Sequence, residues 1–206
     1  MGFYENHIVP RIINFACGTE MIRKQREKVV PLAEGTVLEI GIGPGFNLPL
    51  YDAGKVRRVI GLDPSETAWK FARERVAAAP FEVEFIGLPG ERIPLDDASV
   101  DTVLVTFSLC TIPDPAAALA GMKRVLKPQG KLVFCEHGRA PDAHVCTWQD
   151  RINPVWRHVF GGCHLNRDMP ALIGGAGFQI TRMESGYLPE GPRFAGFTYW
   201  GEAAKA

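Results

Sequence analysis

The stretch Val37-Leu38-Glu39-Ile40-Gly41-Ile42-Gly43-Pro44-Gly45 restricts what this chain can fold into more than any other. A short apolar run ends in a glycine-dense turn. Asn47-Leu48-Pro49-Leu50-Tyr51 then reads as a helix opening, with Asn47 suited to the cap and Pro49 to the first turn, where no backbone N–H is needed. A strand, a turn whose glycines let backbone approach a ligand, and a helix N-terminus together make a cofactor cradle. The dinucleotide fingerprint G-x-G-x-x-G would place its third glycine at 46, and Phe46 stands there. Glu39, inside the strand, also has little use in a dinucleotide site. Both features argue against a nicotinamide oxidoreductase.

Beyond that turn, Val59-Ile60-Gly61-Leu62-Asp63-Pro64-Ser65 reads as a second buried strand ending in a carboxylate. An acid there accepts hydrogen bonds from ribose hydroxyls. Gly87-Leu88-Pro89-Gly90-Glu91-Arg92-Ile93-Pro94, Ser99-Val100-Asp101-Thr102-Val103 and Arg124-Val125-Leu126-Lys127-Pro128-Gln129-Gly130 follow in order. With these motifs the chain resembles the class I S-adenosylmethionine (SAM)-dependent methyltransferases. It departs at Gln129, where the family commonly has glycine. The resemblance implies an α/β, Rossmann-like fold: a seven-stranded, mostly parallel sheet with its last strand antiparallel and helices on both faces.

A length of 206 residues suits a single domain with a full core. Lys plus Arg number 23 and Asp plus Glu 23, a balance that argues against a nucleic-acid partner, which favours a basic surface. Cys17, Cys110, Cys135, Cys146 and Cys163 are scattered with no C-x-x-C pair, which reads as reduced thiols in a cytoplasm. No apolar run approaches the ~20 residues of a membrane span.

Residues 3–30 read as a helical arm, with Ile8, Ile12 and Phe15 at helical spacing and Pro10 bending it. Arg23–Lys28 reads as a solvated face, with Glu20 pairing with Lys24. The arm is a cover for the core, a lid with Phe3, Tyr4 and His7 nearest the site, or an interfacial anchor. The spacing predicts a helix from about Glu66 to Ala79, a half-exposed edge strand over Phe81–Phe85 and a buried strand over Val100–Val105. Next come a helix capped by Asp114, a strand over Lys131–Glu136, a short helix over Asp168–Ala176 and a closing hairpin, Phe178–Glu184 with Phe194–Trp200. Residues 138–167 break the alternation and read as a long acceptor-side insertion of the loop kind.

The resemblance assigns the cofactor site residue by residue. Gly41, Gly43 and Gly45 bring backbone close, Asp63 with Pro64 and Ser65 meets the ribose, and Gly90 precedes Glu91, which meets the adenine amino group or is a solvated loop acid. Glu39 and Asn47 belong to the first motif, and Glu39 requires a partner if buried. Thr106, Phe107 and Leu109 flank the methionine part of SAM. SAM is thus the implied cofactor and S-adenosyl-L-homocysteine the product.

Cys135-Glu136-His137-Gly138, Trp148-Gln149, Asn153-Pro154-Val155-Trp156 and Gly161-Gly162-Cys163-His164-Leu165-Asn166-Arg167 resemble a narrower group, the alkyl-thiol methyltransferases of the methyltransferase-like family. Eukaryotes tether those through an N-terminal hydrophobic segment, and this chain reads as a soluble relative. The implied acceptor is a small thiol, with an amine or phospholipid headgroup, or a non-catalytic SAM-binding role, as rivals. Tyr4, His7, Cys110, Trp148, Trp156 and His164 are the candidate pocket walls, with ordinary core as the alternative for the tryptophans. His137, after the fifth strand, is the candidate catalytic residue that receives or polarises the acceptor's proton, or else a brace for the insertion. No metal is expected, because Cys163 and His164 lack a second pair at zinc spacing and the acidic ligands of catechol-type enzymes are absent.

Overall fold

The computed structural model describes residues 17–206, so the expectations for Phe3, Tyr4, His7 and Pro10 lie outside the described residues. The strands are β1 (Gly35–Ile40), β2 (Val56–Leu62), β3 (Glu82–Ile86), β4 (Val100–Thr106), β5 (Leu126–His137), β6 (Phe178–Tyr187) and β7 (Phe197–Lys205). They form one sheet in the order β3-β2-β1-β4-β5-β7-β6. The first five pair in parallel, and β7 runs antiparallel to β5 and β6. This is the Rossmann-like sheet that the motifs imply.

The helices are α1 (Glu20–Arg26), α2 (Glu66–Lys70), α3 (Arg73–Ala78), α4 (Pro115–Val125), α5 (Ala143–Val159) and α6 (Met169–Gly175). Alternate strand residues feed two cores. Leu38, Val103, Leu132 and Phe134 pack with Leu119 and Met122 of α4 and Ile173 of α6 on one face. Val37, Val59, Leu104 and Val133 pack with Val30, Leu48 and Tyr51 on the other. Each buried aliphatic contributes roughly 1.5–3 kcal/mol, so the central strands are where most stability resides. Asp114 and Asp168 cap α4 and α6, accepting from Ala117 N at 2.9 Å and Ala171 N at 3.0 Å. Among the described residues no helix is long and apolar enough to cross a membrane.

Four local expectations need correction. Asn47 does not cap the turn Leu48–Leu50, a single 3-10 turn, because its side chain points inward to buried partners. The helix after Asp63 is two short ones, and Ser65 caps the first by accepting from Ala68 N at 3.1 Å. Arg23–Lys28 is not uniformly solvated: Arg23 bridges Glu20 and Glu27, whereas Gln25 and Arg26 are buried. Residues 138–167 are mostly the 17-residue helix α5, which runs on through Pro154.

Candidate active site

The carboxyl ends of β1, β2, β4 and β5 adjoin, so side chains distant in sequence meet along one edge. On the β1 side the chain turns through Gly41, Gly43 and Gly45 at φ of +73°, +46° and +72°, a left-handed conformation that side chains other than glycine's strain to adopt. Asp63 steadies the turn, its two oxygens accepting from Gly43 N at 3.0 Å and Ser65 N at 2.8 Å. Burial raises its pKa, and those two bonds only partly offset the effect. Pro64 beside it is exposed. Gly90 is buried against Ile112 and Ile40, where an added Cβ would come within 2.8 Å of Ile112.

Behind the turn lies a closed polar cluster. Glu39 accepts from Tyr51 OH at 2.6 Å and from Asn47 Nδ2 at 2.9 Å. Asn47 also reaches Thr106 Oγ1 at 3.0 Å. Arg26 Nη1 donates to Thr106 Oγ1 at 2.6 Å and Asn47 Oδ1 at 3.1 Å. Its guanidinium lies over the rings of Phe107 (5.3 Å) and Phe46 (5.8 Å). Burial pushes Glu39 up to about 7, with Tyr51, Arg26 and Asn47 pulling the other way. Glu39 thus has the partners its burial demands. Phe107 holds a positive φ of 52°, an uncommon backbone for an aromatic residue. Leu109 is fully buried in the sheet core and supports this loop from below.

On the β5 side, His137 Nε2 lies 2.8 Å from Cys163 Sγ, and Cys163 Sγ lies 3.9 Å from Cys110 Sγ. The Cys110 thiol, raised well above its ordinary pKa, keeps its proton and faces the Cys163 sulfur. That contact, with His137 acting against desolvation, holds Cys163 well below the usual thiol range. Burial pulls His137 down, but Cys163 and Glu136 outweigh it and the net shift is upward.

The loop carrying Cys110 is braced on both sides. Buried Glu136 accepts from Ser108 N (2.7 Å), Leu109 N (3.0 Å) and Cys110 N (3.2 Å). Arg167 donates to the carbonyls of Leu109 and Ile112. The α5 helix pins the neighbouring turns: Gln149 accepts from Ala140 N and donates to the carbonyls of Gly138, Leu165 and Phe194. Asn153 Oδ1 accepts from Leu165 N at 2.9 Å. Burial raises the pKa of the Cys17 thiol, with Arg26 pulling it down.

Of the expected pocket walls, Cys110 joins His137, and Trp156 stacks on Phe160 with ring centroids 3.9 Å apart. His164 lies beside Asn153, with Nδ1 3.4 Å from its amide nitrogen. Trp148 is 56% exposed, because α5 turns Val145, Gln149 and Asn153 inward and position 148 away. Arg26 and Cys163 were not legible as site residues. Ile22, Arg26, Val29 and Val30 share a helical spacing that marks Arg26 as inward-facing, a signal hidden inside a run of charge. The expectation of no metal rested on linear spacing, whereas Cys110, His137 and Cys163 converge through the fold, with their ligand atoms all within 4.8 Å of one another.

The cradle fits SAM. Arg26 Nε and Glu91 Oε2 are buried without hydrogen-bond partners, a donor for a carboxylate and an acceptor for an amino group. A Cβ on Gly43 would meet nothing of the protein nearer than Asp63 at 3.7 Å, which leaves room there for a ligand. The sheet order, the glycine turn and the carboxylate at the end of β2 are those of a class I SAM-dependent methyltransferase. Residues 38–134 match the family model described as a methyltransferase domain. Geranyl diphosphate methyltransferase in complex with SAM has the same fold, at TM-score 0.70 and 13% identity, over 100% of this chain and 92% of that one.

The chain belongs to the family of the thiol S-methyltransferases: it is 35% identical over 173 residues to Thiol S-methyltransferase TMT1B of Rattus norvegicus, covering 79% of this chain and 70% of that protein. It is also 31% identical over 130 residues to Phosphatidylethanolamine N-methyltransferase of Cereibacter sphaeroides, covering 61% and 63%. The chain is therefore a SAM-dependent methyltransferase acting on a small molecule.

Proposed function

We propose that the chain transfers the methyl group of SAM to a small-molecule thiol. The observation that carries this reading is the soft, sulfur-lined acceptor end, Cys110, His137 and Cys163, in a chain whose relatives include Thiol S-methyltransferase TMT1B. SAM supplies an electrophilic methyl group on a sulfonium. Arg26, Asp63 and Glu91 hold its polar ends, Asn47 braces Arg26 from behind, and the rings of Phe46 and Phe107 keep water from the reacting carbon. Alignment of acceptor and methyl carbon supplies much of the rate, in principle on the order of 7–11 kcal/mol.

A thiol with a pKa of ~8.5 is already a few per cent thiolate at neutral pH, so it needs only a group that favours its anion. We assign that role to His137 with its sulfur neighbours. An amine or phospholipid headgroup is the rival, favoured by the match to the N-methyltransferase. An ammonium must first lose a proton to a base. The carboxylate oxygens of Glu136, the acid beside the cluster, already accept three backbone N–H bonds, which supports the thiol. Matched acceptors differing only in SH, NH₂ or OH, assayed by release of S-adenosylhomocysteine, test the assignment. The thiol should turn over fastest, and faster turnover of the amine moves the function to N-methylation.

A further inference from the structure

Cys110, His137 and Cys163 come from three separate elements: the loop after β4, the last residue of β5 and the turn after α5. Each is positioned by groups that are not themselves ligands. Glu136 and Arg167 fix the Cys110 loop, the β5 ladder fixes His137, and Cys163 follows Gly161 and Gly162, both at positive φ. Two sulfurs bound to one tetrahedral ion at about 2.3 Å stand about 3.8 Å apart. Cys110 and Cys163 stand 3.9 Å apart, too far for a disulfide and close to the spacing of two such ligands. The imidazole nitrogen lies closer, 2.8 Å from Cys163 Sγ. Room for an ion opens by rotating the Cys163 side chain, which stands on a turn and not in the sheet. With the Glu136 oxygens occupied by backbone, the donor set is two sulfurs and one nitrogen, which selects soft and borderline ions over magnesium or calcium.

We propose that Cys110, His137 and Cys163 bind one cation of the zinc class, and that its fourth position receives the acceptor's sulfur. The second half rests on the thiol reading above. Three protein ligands with a fourth position free for substrate is the arrangement of catalytic zinc sites, and a thiol bound to such an ion is deprotonated. The acceptor gives its proton to water on binding. Its sulfur lone pair forms the bond to the methyl carbon, the sulfonium carbon–sulfur bond breaks, and that electron pair stays on the departing sulfur as S-adenosylhomocysteine. No oxidant or reductant is needed.

The test is a cadmium titration of the intact protein, kept reduced by a phosphine. One equivalent should bind with a thiolate-to-cadmium absorption band, and X-ray absorption of the zinc-loaded protein should show two sulfurs and one nitrogen from side chains. Loss of a positioning group around a metal costs about ten- to a hundredfold in affinity, so Cys110→Ser and Cys163→Ser, which remove ligands, should each cost at least about a hundredfold. Cys146→Ser should cost nothing, because that sulfur donates elsewhere, to Ala140 O. Melting temperature and SAM calorimetry check that each variant is folded. No one-equivalent band in the parent, or a band that survives in the Cys110→Ser/Cys163→Ser double variant, overturns the site.

Cys17→Ser should leave cadmium affinity unchanged. A loss as large as that from Cys163→Ser makes Cys17 the fourth ligand and removes the place for the acceptor. Cadmium bound as expected without turnover of any thiol rejects the acceptor reading and leaves the metal site standing. Thiol turnover by a protein that takes up neither ion does the reverse.

Discussion

The two halves of the active edge are built from different chemistry. On the β1 side, Arg26, Glu39, Asn47, Tyr51 and Thr106 form a network of nitrogen and oxygen with directed hydrogen bonds. On the β5 side the convergent groups are two sulfurs and an imidazole, and the directed bonds around them go to backbone. A cofactor with hydroxyls, a carboxylate and an amine is read by geometry, and charge-assisted bonds give that geometry its strength. A sulfur acceptor makes weak hydrogen bonds and is better held by polarisable or metal-bound partners. On the proposed reading, one edge separates recognition of the donor from activation of the acceptor.

The separation can be broken from either side. Gly43→Val should have the largest effect, because it strains a φ of +46° and fills space facing Asp63. SAM binding should drop below detection by calorimetry while cadmium uptake persists. Loss of both would mean that the two halves are one cooperative unit. Arg26→Met should weaken SAM by roughly 1.5–3 kcal/mol, the range for hydrogen bonds to charged groups, and appear in KM for SAM. An unchanged KM would reduce Arg26 to a brace for Asn47 and Thr106.

His137→Gln sharpens the acceptor side. Cys163 lies against His137 and the charges of Glu136 and Arg167 also act on it, but the titration that matters is that of the acceptor. The rate at pH ~6.5 should fall on the order of tenfold, and the gap should narrow toward pH ~9, where a thiol of pKa ~8.5 is mostly thiolate. A loss uniform across pH, with a lower melting temperature, makes the residue structural.

Glu39→Gln should act on stability and not on either ligand. Burial sets the Glu39 pKa near 7, above its ordinary 4.5, so its stabilising contribution is complete below the unfolded value and lost as pH rises through about 7. That loss is at most about 3 kcal/mol, offset by about 1 kcal/mol for a mismatched bond to Asn47. The melting temperature of the variant relative to the parent should therefore climb between pH 5 and 8. A flat difference would mean that Glu39 stays ionised, carried by Arg26.

The first motif and the central strands were legible because each depends on a local period or a turn, and the seven-stranded sheet with its antiparallel last strand was legible through the family resemblance. Asn47 was legible as a polar residue beside a turn but not in its direction, since a cap and a buried amide look alike in one dimension. The α5 helix hid behind Pro154 and its tryptophans, although Val145, Gln149 and Asn153 carry its inward period. The acceptor cluster had no linear signature. Its members stand 27 and 26 positions apart and meet only because β4 and β5 are neighbours in the sheet and the turn after α5 folds back over them.

Gln149 joins the turns around that cluster through one side-chain amide, bonded to the chain at 138, 140, 165 and 194. Substrate range could therefore diversify unevenly along α5. Outward positions such as Trp148, Arg151 and Val155 are open to drift, since no turn depends on them. Position 149 is a bottleneck: its loss would strand several buried polar groups at about 1–3 kcal/mol each, a step that gradual change cannot cross without refitting three turns at once. A breeder of new acceptor specificities would vary the helix's outer face and its terminal turn freely and leave that single amide alone.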